Sequence, residues 1–255
     1  MADEEVRTEG RSRDELVAWL NELQEIVYEL KFKQFIFEGV WKVITGNPEL
    51  QKHPSHFYDW MTNLYLESMA MAVRRICDDD KRTLSLVTFL RLVREDPSPI
   101  SRGAYGSLFP ADTVSHPGLP LEVKAMLRER IINNGYDQAV GEGIEQPSEK
   151  DISKEITALV KLANTILTFT NKRLAHFDRQ GPKEVPTLAD INAVIEHSTK
   201  IIQKYLLLLK AVSTDMDVHM QYDWLAPFRV TWLPEEEWFR LLKERQTAAT
   251  PVGES

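Results

Sequence analysis

One cysteine, Cys77, stands in 255 residues. That scarcity excludes an internal disulfide framework and a thiolate zinc site, and it fits a reducing compartment, the cytoplasm. Long apolar runs are missing as well. The longest are five residues, at 69–73 and at 205–209 with its four leucines, against the roughly 20 residues a membrane helix needs, so no bilayer span is expected. The opening residues are polar throughout, with no charged-then-apolar leader, and secretion is not expected either. Glycine-rich phosphate loops, a Gly-x-Ser-x-Gly elbow and paired Cys-x-x-Cys are absent. Their absence removes the commonest nucleotide-hydrolysing, serine-hydrolase and thiol-redox readings.

What is present is an ordinary soluble composition, with 43% hydrophobic and 27% charged residues. The net charge of −8 argues against a broad electrostatic footprint for nucleic acid. One stretch runs against the bulk. Between Asn171 and Lys183, the basic Lys172, Arg173, Arg179 and Lys183 face a single acid, Asp178.

The chain reads as helices from end to end. Ser12-Arg13-Asp14-Glu15 has the form of a capping box. From it, apolar residues recur three and four apart through Leu16, Leu20, Leu23, Val27, Leu30, Phe37, Trp41 and Ile44 until Gly46, Asn47 and Pro48 stop the helix. A second helix is expected from about Phe57 to Cys77, with Ser55 as cap and Trp60, Met61, Leu64, Met69 and Ile76 inward. The short connection predicts antiparallel packing of these two. Asp78, Asp79 and Asp80 break the second helix, "LSLVTFLRLVR" forms a third, and residues 97–120, rich in proline, glycine and serine, read as an inserted loop. Further helices are expected over "LEVKAMLRERIINNG", with Gly135 as cap, from Ser148 to about Arg179, and from Thr187 through Leu206. Pro234 and three glutamates suggest one more near the end. No segment alternates with period two for long enough to demand a sheet. The fold class is all-α, with residues 1–11 and 246–255 expected to be disordered around one domain over 12–245.

Three groups carry candidate chemistry. His53 and His56 in "HPSH" have no cysteine partner and read as loop residues, so no metal is expected. The consecutive Asp78, Asp79 and Asp80 point in different directions, unlike the spaced acids of a cation loop, and read as a helix stop. Carboxylates there oppose the helix dipole and call for a cation, with Arg74 and Arg75 as local candidates and the basic stretch as a distant one. Lys172, Arg173 and His176 share a helical face, on which arginine's forked donors grip a phosphate and the imidazole moves a proton. The same spacing also suits a plain helix end whose cations complement the dipole.

Four stretches, "MAVRRICDDDKRTLSLVTFLRLVRE", "ITALVKLANTILTFTNKRLAHFDR", "PTLADINAVIEHSTKIIQKYLLLLK" and "DWLAPFRVTWL", resemble in order the AbiU-like branch of the HEPN superfamily. The most specific element is "NKRLAH" followed by Asp178, similar to the family's RNKxxAHxD. The resemblance implies a HEPN-like helical bundle that commonly dimerises, in bacterial proteins of abortive infection or toxin-like antiviral defence. It also implies a metal-independent endoribonuclease chemistry. There a histidine handles the ribose 2′-hydroxyl proton, and an arginine separated from it by four to six residues holds the scissile phosphate. Here residues 169–171 are Phe169, Thr170 and Asn171, with no arginine, although Asn171 matches the polar residue that follows it.

Two functions remain in view at this level. One is a ribonuclease-like effector with His176, Arg173 and Asn171 as catalytic candidates, Lys172 and Arg179 on RNA phosphate, and Asp178, Asp78 and Arg75 in support. The other is a non-catalytic module that binds RNA, a nucleotide or a protein partner. A homodimer is expected in both, and no cofactor in either.

Overall fold

A computed structural model describes residues 12–52, 55–175, 184–230 and 240. Among these residues all regular structure is helical: α1 (Arg13–Gly46), α2 (Pro48–Gln51), α3 (His56–Ile76), α4 (Leu86–Glu95), α5 (Arg102–Gly106), α6 (Leu121–Val140), α7 (Glu149–Phe169) and α8 (Leu188–Lys210). The chain divides into two compact units, one reaching to Val218 and one beginning at His219. The second holds a 3-10 turn, Ala226–Arg229, with Arg229 paired to Asp223.

The helix starts follow the local chemistry of the sequence. Ser12 and Glu15 form the reciprocal capping box of α1, and Thr187 and Asp190 form one for α8. Ser55, Ser85 and Ser148 cap α3, α4 and α7 through their side-chain oxygens. Each cap satisfies an amide that the helix geometry leaves without a partner.

α8 is the hub. Eleven of its residues are buried on one broad face, and α1, α7, α3 and α6 pack against it. α1 runs antiparallel along it. Arg13 donates to the carbonyl oxygens of Leu208 and Leu209 at one end, while Asn192 donates to Glu38 at 3.1 Å near the other. The guanidinium of Arg13 also donates to Ala104 at 2.8 Å, so it closes the orphan carbonyls of the α8 C-terminus and ties them to α5.

α1 and α3 are antiparallel, as their short connection suggests. Phe37 stacks on Tyr65 at 3.9 Å, and Leu23 and Leu30 lie across from Ala72 and Ile76. α8, however, is the larger partner of α1, and only the C-terminal half of α3 enters the core, through Met69, Ala70, Val73 and Ile76. Trp60 and Leu64, expected inward, are exposed, and so is Trp41 of α1.

Residues 97–120 are not wholly irregular. A 3-10 turn at Ser98–Ile100 and the short α5 seat Ile100 and Tyr105 in the core. Arg102 holds this segment to α6 and the next loop through Asn133, Asp137 at 2.5 Å and the Ile144 carbonyl.

Gly135 is not a helix cap. α6 continues to Val140 and ends on Gly141, whose φ of 122° suits glycine. Gly135 is instead a contact point, because a Cβ there would collide with the Tyr105 hydroxyl. Gly135→Ala should therefore destabilise the fold by about 1–2 kcal/mol, overpacking outweighing the gain in helix propensity. In denaturant titrations, Tyr105→Phe combined with Gly135→Ala should recover most of that loss. A double variant no more stable than the single one would contradict this cause.

Candidate nucleic-acid interface

The segment that follows α7 is unusual in its backbone. The α-helix gives way at Thr170 to a π-helical turn, Thr170–Ala175, that carries the sequence Thr-Asn-Lys-Arg-Leu-Ala. Such wide turns are rare and gather at functional sites. Thr170 is fully buried, its hydroxyl donating to the Ile166 carbonyl at 2.7 Å and lying 3.4 Å from the Ala70 carbonyl of α3. The turn is thereby pinned to the half of α3 that belongs to the core.

Asn171 and Arg173 are exposed and Lys172 is half-buried. Lys172 lines a cavity of about 220 Å³ with Asn164, Thr165, Thr168 and Glu184. Its walls carry an ammonium, an amide, two hydroxyls and one carboxylate. Hydrogen-bond donors dominate this surface, which suits an oxygen-rich ligand such as a phosphate or a ribose. The three α7 residues of this cavity stood in the sequence among helix-forming residues, with no motif to mark them.

His176, Asp178 and Arg179 lie outside the described residues. Of the candidates in this stretch, Asn171, Lys172 and Arg173 are thus the ones described, and one turn brings them together.

The aspartate triplet finds its partners close by. Asp79 pairs with Arg91 at 3.3 Å and Asp80 with Arg82 at 2.6 Å. The Arg82 hydrogen bonds hold the Asp80 carboxyl down at about 2. Asp78 accepts the backbone N–H of Asp80 at 3.0 Å and, like Arg75, lines a cleft toward α1 that no residue of α7 or of the π turn reaches. Among the described residues, no ion pair joins Asp78 or Asp79 to Arg173. Two of the three supporting residues named with the motif, Asp78 and Arg75, are in this way grouped with each other.

Burial pushes the Cys77 thiol up to about 12, which leaves it an inert core residue. Among the described residues, no group of three or more His, Cys, Asp or Glu is placed to hold a metal ion. None of the described helices is long and apolar enough to cross a membrane.

Residues 13–224 match the family model of AbiU2, a HEPN family. The chain belongs to the HEPN AbiU2 family. The family name ties it to abortive infection, and the all-α architecture around the "NKRLAH" segment agrees with membership. No curated protein and no solved structure matches the chain.

The burial of Thr170 has a direct consequence. Thr170→Arg would force a guanidinium into a space already closed by α3, and it should cost about 3 kcal/mol or more. Thr170→Ser, which keeps the hydroxyl, should cost about 1 kcal/mol for the lost methyl. Thermal unfolding of both variants checks this ordering. An arginine tolerated as well as serine would mean that this position opens to solvent.

Proposed function

We propose that this AbiU2-family protein binds RNA in bacterial antiviral defence through the surface of Asn171, Lys172 and Arg173, and that it does so without cutting the strand. The observation that carries the reading is Thr170. Cleavage of the HEPN type draws on an arginine to hold the scissile phosphate. The residue before Asn171, where the family's pattern has that arginine, is a neutral threonine whose hydroxyl is already donated to Ile166. No guanidinium is available at that point in the chain.

What is left suits binding. Lys172 and Arg173 supply charge, the hydroxyls of Thr165 and Thr168 and the amide of Asn164 supply hydrogen bonds, and Arg179 adds a third cation a few residues on in the sequence. With a bulk charge of −8, attraction to RNA is confined to this local surface. His176 and Asp178 continue the same stretch and are assigned to contacts with the sugar-phosphate backbone.

RNA affinity should fall with added salt, each released phosphate contact on a single strand contributing a slope of about 0.7. A variant with Lys172, Arg173 and Arg179 all changed to alanine should flatten that slope by about 2, and wild type should leave the RNA intact with or without metal. Titrations of wild type and variant that superimpose would remove this surface from binding. Cleavage that disappears in His176→Ala would return the catalytic reading.

The homodimer expected of the family has its own support. Phe32, Trp41, Phe57, Trp60 and Leu64 are exposed along the outer halves of α1 and α3, and an apolar groove of about 340 Å³ runs between these helices past Ile36, Val40 and Met61. A second copy covers this face in the proposed assembly. Light scattering at micromolar concentration should give twice the 29.4 kDa chain mass, and Trp60→Glu with Leu64→Glu should give the monomer. A wild-type monomer would exclude the dimer.

A further inference from the structure

A second cleft, of about 280 Å³, lies between α1, the end of α3 and the loop that follows it. Its floor is apolar: Leu23, Leu30 and Ile76 are buried, and Ile26, Ala72 and Leu84 are partly so. Its rim is charged by Arg75, Asp78 and the Glu29–Lys33 pair, which closes on itself at 2.8 Å.

Arg75 and Asp78 are a different matter. The guanidinium of Arg75 makes no hydrogen bond or ion pair with any described residue. Asp78 uses one carboxylate oxygen to accept the Asp80 amide and leaves the other without a partner among the described residues. The two side chains line one cleft yet are not within ion-pair distance of each other, although they stand three residues apart across the end of α3. A guanidinium and a carboxylate held apart above an apolar floor are complementary to a molecule with the opposite arrangement: an anion, a cation beside it, and an apolar body.

We propose that this cleft binds a free amino acid with a branched or aromatic side chain. Arg75 takes the α-carboxylate through its forked donors, Asp78 takes the α-ammonium, and the side chain lies on Leu23, Leu30 and Ile76. The size agrees. A cleft of about 280 Å³ has room for a side chain of leucine or phenylalanine size. Thr83 at the rim donates its hydroxyl to the Asp80 carbonyl at 2.8 Å, which holds the loop that carries Asp78. The site is independent of the RNA surface, since no residue of α7 or of the π turn lines it.

Calorimetric titration of the full chain with L-leucine and L-phenylalanine tests the assignment, alongside 4-methylpentanoate, which lacks the ammonium, and adenosine monophosphate. Saturable binding of an amino acid is expected, weakened about tenfold or more by Arg75→Gln. The 4-methylpentanoate anion should bind more weakly than leucine to wild type. Asp78→Asn, which still accepts the Asp80 amide, should abolish that difference. Circular dichroism of both variants should match wild type, because each side chain is at the surface and out of the core. Absence of saturable binding by either amino acid would overturn the proposal, as would affinities unchanged in both variants. Adenosine monophosphate binding tighter than either amino acid would overturn the zwitterion assignment.

Discussion

The broad buried face of α8 is the constraint from which the rest of the fold follows. A face that buries eleven residues is too broad to rest on one neighbour, and several helices must enclose it. α1, α3, α6 and α7 do the enclosing, and their amphipathic stripes are the inner wall. Enclosure raises a second difficulty at the end of α8, where the last carbonyls lack partners inside the helix. Arg13, at the first turn of α1, answers it by donating to Leu208 and Leu209 as well as to Ala104. One side chain thereby fixes where α1 begins relative to where α8 ends, and the antiparallel course of α1 follows from that.

The same enclosure decides what α7 presents. Ile152, Ile156, Leu159, Ala163 and Ile166 face the core, so Asn164, Thr165 and Thr168 lie off that stripe and line the polar cavity beside Lys172. Thr170 is the last core contact before the helix widens into the π turn. In the proposed function, the boundary between core and ligand falls between Thr170 and Asn171. A threonine suits the inner side of that boundary, because its hydroxyl is satisfied by the preceding turn and its methyl packs without a charge to bury.

Local chemistry was legible in the sequence wherever one residue satisfies a nearby backbone group. Ser12 with Glu15, Thr187 with Asp190, and Ser148 mark helix starts that the structure keeps, and the apolar spacing of α8 marks its buried residues. Legibility ended where a position depends on a distant partner. Trp60 and Leu64 have the right period for a core face, but the half of α3 that bears them extends past the helices that would cover it. Gly135 looks like a stop, and only the approach of the Tyr105 hydroxyl explains it as a contact. The aspartate triplet showed a need for cations, but the local candidates named from the sequence, Arg74 and Arg75, are not the ones that pair with it. Arg82 and Arg91 supply them to Asp80 and Asp79, while Arg75 and Asp78 stand apart in their cleft. The π turn had no sequence signal beyond the motif itself, since a widened turn is set by packing against α3 and not by residue preference.

The account rests most directly on where RNA touches the chain. Hydrogen exchange of the backbone amides, measured with and without a short single-stranded RNA, reads this without any variant. The account predicts added protection over residues 164–175, from the polar cavity through the π turn, and none over 23–33 or 72–84. Protection confined to the latter segments, or absent from 164–175 at an RNA concentration that saturates binding, would contradict it.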